Sequence, residues 1–305
     1  MSIVGYRLGC PAWGLPAWRG TLLPSRRSGA VAPDEQGGGA LTHYARVFST
    51  VEGNTTFYAV PSADTVARWD AEAPSSFRFC FKFPRSITHD LRLEGVVATS
   101  SARAFLTRLE PLHDRLGPTM LQLPPGFGPA RLGRLETFLD GLPSAHRYAV
   151  EVRHPEFFAG GDAEARLEAV LAARRVDWVT LDTRGLFLAS REDRHVAAAQ
   201  SRKPRLPVRA RALGPHPIVR FVPHPDFSRN RPFVDGWRSA LRHWLDGGRE
   251  PYFFMHAPDD RRAPELARRF HAALRDAGLP VGEMPPWSGE AAAAEPDPSQ
   301  LGLFS

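Results

Sequence analysis

Short stretches rich in β-branched and aromatic residues recur along the chain, at 5–10, 46–52, 77–83, 118–123, 147–152, 176–182, 217–222 and 251–256. Between them, Asp64 to Ala71, Ser100 to Arg115, Leu132 to Leu142, Ala163 to Arg175, Val234 to Leu245 and Pro264 to Ala277 carry apolar residues at helical spacing. Strands alternating with helices imply parallel pairing and right-handed crossovers. The pattern predicts an α/β fold, a single (β/α)8 TIM-type barrel over residues 1–279. The first connection, residues 14–40, is rich in Gly, Pro and Arg and reads as a mobile flap over the barrel mouth. No internal repeat or long interior linker divides the chain. After Leu279 the composition turns to Pro, Ala and acidic residues, which predicts a disordered tail over 280–305.

Side chains alternate across a strand, so residues two apart share a face. In the third stretch Phe77, Phe79, Phe81 and Phe83 share the face expected to meet the helices, which turns Cys80 and Lys82 inward. The same reading brings Glu52, Gln122, Glu151, Asp182 and Arg220 to the carboxyl ends of their strands, with His256 ending the last and Arg153 two residues beyond Glu151. Functional residues of β/α barrels lie at that end. Any one of these groups could be half of a structural ion pair. A ring of them at one end of most strands is costly to bury, and a binding site is its simplest cause.

Composition adds four points. The chain has 305 residues, 43% hydrophobic and 24% charged, with no apolar run long enough to span a bilayer. Its amino terminus has no basic-then-apolar leader, and Cys10 and Cys80 lack metal or redox spacing, so a cytoplasmic location is expected. The net charge of +6 is spread evenly, with no direct nucleic-acid motif. Of 39 Lys and Arg residues, only Lys82 and Lys203 are lysines. A lysine kept where arginine is otherwise used suggests a need for an amine that can titrate.

Five segments together resemble a known family: Gly9 to Trp13, Thr50 to Tyr58, Phe81 to His89, Leu121 to Pro125 and Glu151 to His154. They are similar to the YecE-like barrels, domain-of-unknown-function family 72, over residues 5–278. The resemblance implies a (β/α)8 fold and supplies no reaction. Where many relatives carry His-Gly and Asn-Asn after the last two strands, this chain has Val222 to Pro225 and Met255 to Asp259.

The catalytic candidates are Glu52, Lys82, Glu151 and Asp182, and the candidate ligand contacts are Trp13, Asn54, Tyr58, Gln122, Arg153, Arg220 and His256. Lys82, Arg153 and Arg220 favour an anionic ligand such as a sugar phosphate or nucleotide. If turnover occurs, the carboxylates point to a hydrolase or lyase. Glu52 and Glu151 could flank a glycosidic bond as acid and base. Lys82 could instead be a Schiff-base nucleophile, although two nearby carboxylates favour a charged clamp. A divalent metal on Glu52, Glu151, Asp182 and His256 is disfavoured, because no two sit at close ligand spacing and Lys82 would compete. A binding or regulatory module without turnover is the reading from another class. No motif names a cofactor. Cys10 reads as a small buried thiol, and His89 and His154 as loop histidines bonded to nearby backbone.

The last six residues, Gln300 to Ser305, resemble the Gln-Leu-x-Leu-Phe peptide by which bacterial replication and repair proteins dock on the DNA sliding clamp. Gln300, Leu301, Leu303 and Phe304 are the candidate partner contacts. Packing of the same peptide back onto the barrel is the alternative.

Overall fold

The computed structural model describes residues 3–25 and 39–290. The clamp-like peptide and much of the expected flap therefore lie outside the described residues. Each apolar stretch contains a strand: β1 (Arg7–Gly9), β2 (Thr50–Gly53), β3 (Arg78–Phe81), β4 (Thr119–Gln122), β5 (Tyr148–Glu151), β6 (Asp177–Asp182), β7 (Ile218–Phe221) and β8 (Tyr252–Met255). Every pairing is parallel. A parallel pair needs a crossover, and each connection supplies helix. These are α1 (Ala40–Ala45), α2 (Thr55–Tyr58), α3 (Ala63–Glu72), α4 (Gly95–Leu109), α5 (Leu132–Asp140), α6 (Asp162–Ala173), α7 (Arg184–Leu188), α8 (Arg194–Arg202), α9 (Arg231–Asp246) and α10 (Ala263–Asp276). Side-chain caps fix some of their starts: the Ser62 hydroxyl accepts from Thr65 N ahead of α3, and Asp193 accepts from His195 N and Val196 N ahead of α8.

The ladders divide six and two. One sheet runs β1-β8-β7-β6-β5-β4, and β2 pairs with β3 alone. This differs from the expected unbroken ring of eight strands. Backbone bonds cross both seams without forming full ladders. Ser49 N and Glu52 N donate to Leu8 O and Cys10 O at 3.2 and 3.0 Å, while Gly117 N and Phe83 N donate to Phe79 O and Met120 O at 2.9 and 3.0 Å. A glycine stands at each seam because the chains approach closely. A Cβ on Gly9 would lie 2.1 Å from Thr50 O, and one on Gly117 would lie 2.8 Å from Cys80 Sγ.

The strands have two apolar faces. On one, Phe79 and Phe81 stack on Trp69 of α3, and Phe83 meets Phe105 of α4 and Phe138 of α5, as the phenylalanine stripe predicts. On the other, Cys80, Met120, Ala149, Val179, Ile218, Tyr252 and Phe254 form a separate buried layer. Two segments expected to be loose are packed where described. Trp18 is buried and donates to the Asp260 and Arg261 carbonyls. Val281 and Trp287, assigned by composition to the tail, are buried, with the Arg268 guanidinium 3.7 Å from the Trp287 ring centre. The packed body thus runs past residue 279.

Candidate functional site

Two residues beyond that apolar layer, toward the carboxyl ends of the strands, the chemistry changes abruptly. Cys80 gives way to Lys82, Met120 to Gln122, Ala149 to Glu151, Ile218 to Arg220 and Phe254 to His256, while Glu52 comes from β2. All six polar side chains are buried. The period of two that stacks apolar side chains therefore stacks charges directly above them.

Arg220 is the hub. Its Nε and Nη2 donate to Glu52 Oε2 and Oε1, both at 2.8 Å, and its Nη1 donates to Glu151 Oε2 at 2.6 Å. Lys82 Nζ lies 2.8 Å from Glu52 Oε1 and donates to Gln122 Oε1 at 3.1 Å. Arg153 Nε donates to Glu151 Oε1 at 2.7 Å. His256 Nε2 is 3.0 Å from Glu52 Oε2, and its Nδ1 lies 3.6 Å from Asp260 Oδ1, beyond hydrogen-bond reach. Two carboxylates thus face three cations, which leaves one positive charge uncompensated. Donors are also left over. The Nη groups of Arg153 and one N–H of Lys82 have no partner among the described residues.

Burial alone would raise both carboxyls. The Arg220 guanidinium, with Lys82 and His256, outweighs it and holds Glu52 well below the usual range. Arg220, Arg153 and Lys82 hold Glu151 at about 2. Lys82 moves the other way for a base: burial and the Arg220 charge bring its amine down to about 8, against the pull of Glu52 and Glu151. Both carboxylates are therefore ionised near neutrality and tied to cations.

Asp182 does not join the cluster. Its carboxylate accepts from Trp237 Nε1 of α9 at 2.8 Å and from Arg184 Nε and Nη2 at 3.0 and 2.8 Å, on the helix side of β6. Strand parity explains this. Leu181 is paired with Arg220 in the ladder and follows Val179 of the apolar layer, so Leu181 holds the position that the sequence reading gave to Asp182. Trp13, Asn54 and Tyr58 come together, but around a neighbouring cavity of about 370 Å³ with Pro11, Ala12 and Leu15. There Asn54 Nδ2 donates to Pro11 O, Trp13 packs edge-on against Trp69 and Phe79, and Tyr58 is exposed.

Cys10 is a buried thiol pushed up by burial. His89 contacts the Phe57 ring, and His154 Nδ1 accepts from Glu156 N. The sequence reading missed Asp260 beside His256, which lies in a loop with no strand periodicity. It also left Lys203 unplaced. Lys203 follows α8 beside this site, where burial and the charge of Arg220 push its amine down and Asp260 opposes them. Its signal was available, as the second of only two lysines.

Among the described residues no group of three or more His, Cys, Asp or Glu is placed to hold a metal ion. None of the described helices is long and apolar enough to cross a membrane. Solved structures of DUF72 family proteins share the fold. One from Enterococcus faecalis V583 has a TM-score of 0.64 at 17% identity, covering 92% of this chain and 98% of that one. One from Thermotoga maritima MSB8 has a TM-score of 0.64 at 20% identity, covering 88% and 99%. The UPF0759 protein YecE of Escherichia coli, from strains O157:H7 and K12, is 39% identical over 278 residues, 91% of this chain and 96% of that protein. A family profile described as "Protein of unknown function DUF72" matches residues 7–289, and the chain belongs to that family.

Proposed function

We propose that the chain is an enzyme-like (β/α)8 barrel that binds a small anionic ligand, of sugar-phosphate or nucleotide-like class, at the carboxyl ends of its strands. The observation that carries this reading is the unspent Arg153 Nη donors on a cluster in which three cations face two carboxylates. A planar guanidinium with free N–H groups suits a phosphate or carboxylate, and the ionised scaffold behind it needs no rearrangement on binding. Barrel closure is supported by the backbone bonds across both seams and by the glycine at each.

The glycosidase alternative loses its support. It needs one protonated carboxyl and one free carboxylate. Glu52 and Glu151 are both held ionised by Arg220 and its neighbours. The same locking favours a second reading, a binding or regulatory module without turnover. Following ribose 5-phosphate by NMR in the presence of the protein separates the two, since only an enzyme acting on that class converts it.

Titration calorimetry with inorganic phosphate and with ribose 5-phosphate tests the main reading. Binding is expected to weaken at least about tenfold in Arg153→Ala, roughly the worth of one charge-assisted contact. Equal heats from wild type and variant, or none from either, would remove it. The terminal Gln300 to Phe304 peptide supports a separate proposal, that the protein docks on the bacterial sliding clamp. Loss of clamp binding on deleting residues 300–305 is expected, and unchanged binding or none rejects it.

A further inference from the structure

The chain keeps two lysines among its 39 Lys and Arg residues. Lys82 stands inside the buried cluster. Lys203 is acted on by the charges of Arg220, Asp260, Glu52 and Arg153. Charge alone does not account for amines here, because a guanidinium carries the same charge with more donors and is used almost everywhere else. What a guanidinium cannot supply near neutral pH is a nucleophilic lone pair.

The surroundings of Lys82 Nζ suit such a lone pair. Lys82 Nζ donates to Gln122 Oε1 at 3.1 Å and is ion-paired with Glu52 Oε1 at 2.8 Å, and it has no third partner among the described residues. A neutral amine has two N–H groups and one lone pair. It therefore satisfies both acceptors and leaves the lone pair at the open position, so losing the proton costs no hydrogen bond. A lysine held only as a structural cation gains from a third acceptor, and none is provided. Burial and the adjacent Arg220 charge favour the neutral form further, with the amine at about 8.

We propose that Lys82 forms a covalent imine with an aldehyde or ketone that also bears a phosphate or carboxylate, the anion being held by Arg153. This rests on the anionic-ligand reading above and names the substrate class for it. The ammonium first gives one proton to water at the mouth. The freed lone pair forms a C–N bond to the carbonyl carbon, the C=O π pair moves to oxygen, and one N–H proton follows it to give a carbinolamine. Return of a proton from water lets the hydroxyl leave as one water molecule, and the nitrogen lone pair closes the C=N bond. Nothing is oxidised or reduced. The product is an iminium cation, which restores the positive charge given up with the first proton, and Arg220 stays paired with Glu52 while the nitrogen is neutral.

The test uses the full chain, D-glyceraldehyde 3-phosphate as probe and cyanoborohydride as an added reductant, with the adduct mapped by mass spectrometry. Only Lys82, Lys203 and the amino terminus can carry it as amines. Phosphate-free glyceraldehyde and the Lys82→Arg variant are run in parallel, and calorimetry with inorganic phosphate is done on the same samples. The expected result is a reduced adduct at Lys82, about tenfold above that from glyceraldehyde and absent in Lys82→Arg. Should that variant not fold, the wild type still decides: excess inorganic phosphate is expected to suppress labelling at Lys82 and not at the amino terminus. Phosphate binding with Lys82 unmodified, or labelling confined to Lys203 and the amino terminus, overturns the imine while the anion reading stands. Equal labelling of Lys82 by both aldehydes overturns the role given to the anion, and absence of both phosphate binding and Lys82 labelling overturns both readings.

Discussion

Arg220 holds the buried cluster together by bonding both carboxylates at once. Removing one partner of a buried ion pair leaves an uncompensated charge, so Arg220→Ala is expected to destabilise by about 3–5 kcal/mol in urea unfolding. Glu151 sets a pH dependence. Its folded value of about 2 lies below the ordinary 4.5, so its contribution is fully present above about pH 4.5 and is lost as pH falls toward 2. Glu151→Gln is expected to flatten that acid limb of the stability curve, measured by denaturant titration at stepped pH. Lys82 gives a slope of the same sign in a higher pH window. Its folded value of about 8 lies below the ordinary 10.5, so the unfolded chain binds more protons and stability rises between about pH 8 and 10.5, a rise that Lys82→Met should remove. At this scale the alternation of side chains made Lys82, Gln122, Glu151 and Arg220 legible. It failed at Asp182 because that residue is level with Phe221, one position past Leu181, which pairs with Arg220, so its side chain falls on the opposite face.

The elements were legible wherever an apolar stripe faced the core. Each strand stretch and each of the longer amphipathic helices fell where periodicity placed it, with ends shifted by a few residues. Helix α8 was not, since its sequence of Arg, His, Ala, Gln and Ser carries only Val196 as a large apolar residue and its start depends on the Asp193 cap. The 6+2 division of the ladders was also hidden, because pairing depends on how far neighbouring strands splay, and periodicity does not encode that. The close approach of the chains at the seam glycines can be tested. Gly9→Ala is expected to cost more than about 3 kcal/mol or prevent folding, because its Cβ would meet the Thr50 carbonyl at 2.1 Å. Gly133→Ala, in α5 with nothing within 4 Å, is expected instead to be neutral or to stabilise by up to about 1 kcal/mol. Equal effects of the two substitutions in urea unfolding would remove the close-approach account of the seams.

For the molecule as a whole, charge and fold divide the work. The net +6 is dispersed over the chain, whereas the buried cluster concentrates cations at one end of the strands. Family membership covers this body almost completely and names no reaction, so the chemistry must be read from the site. The sequence located that site because burying charges at most strand ends is too costly to be incidental. It could not tell which charges were spent on one another, since Arg220 is 168 residues from Glu52 and 69 from Glu151 in the chain. The central claim is that Arg153 keeps donors free for an anion beside the open side of Lys82. A crystal structure of the protein soaked with ribose 5-phosphate tests it most directly. The account predicts phosphate oxygens about 3 Å from the Arg153 Nη atoms, with the open side of Lys82 Nζ facing the sugar. A mouth left empty of ligand at saturating concentration, or Arg153 turned to spend its Nη groups on protein carbonyls, would contradict it.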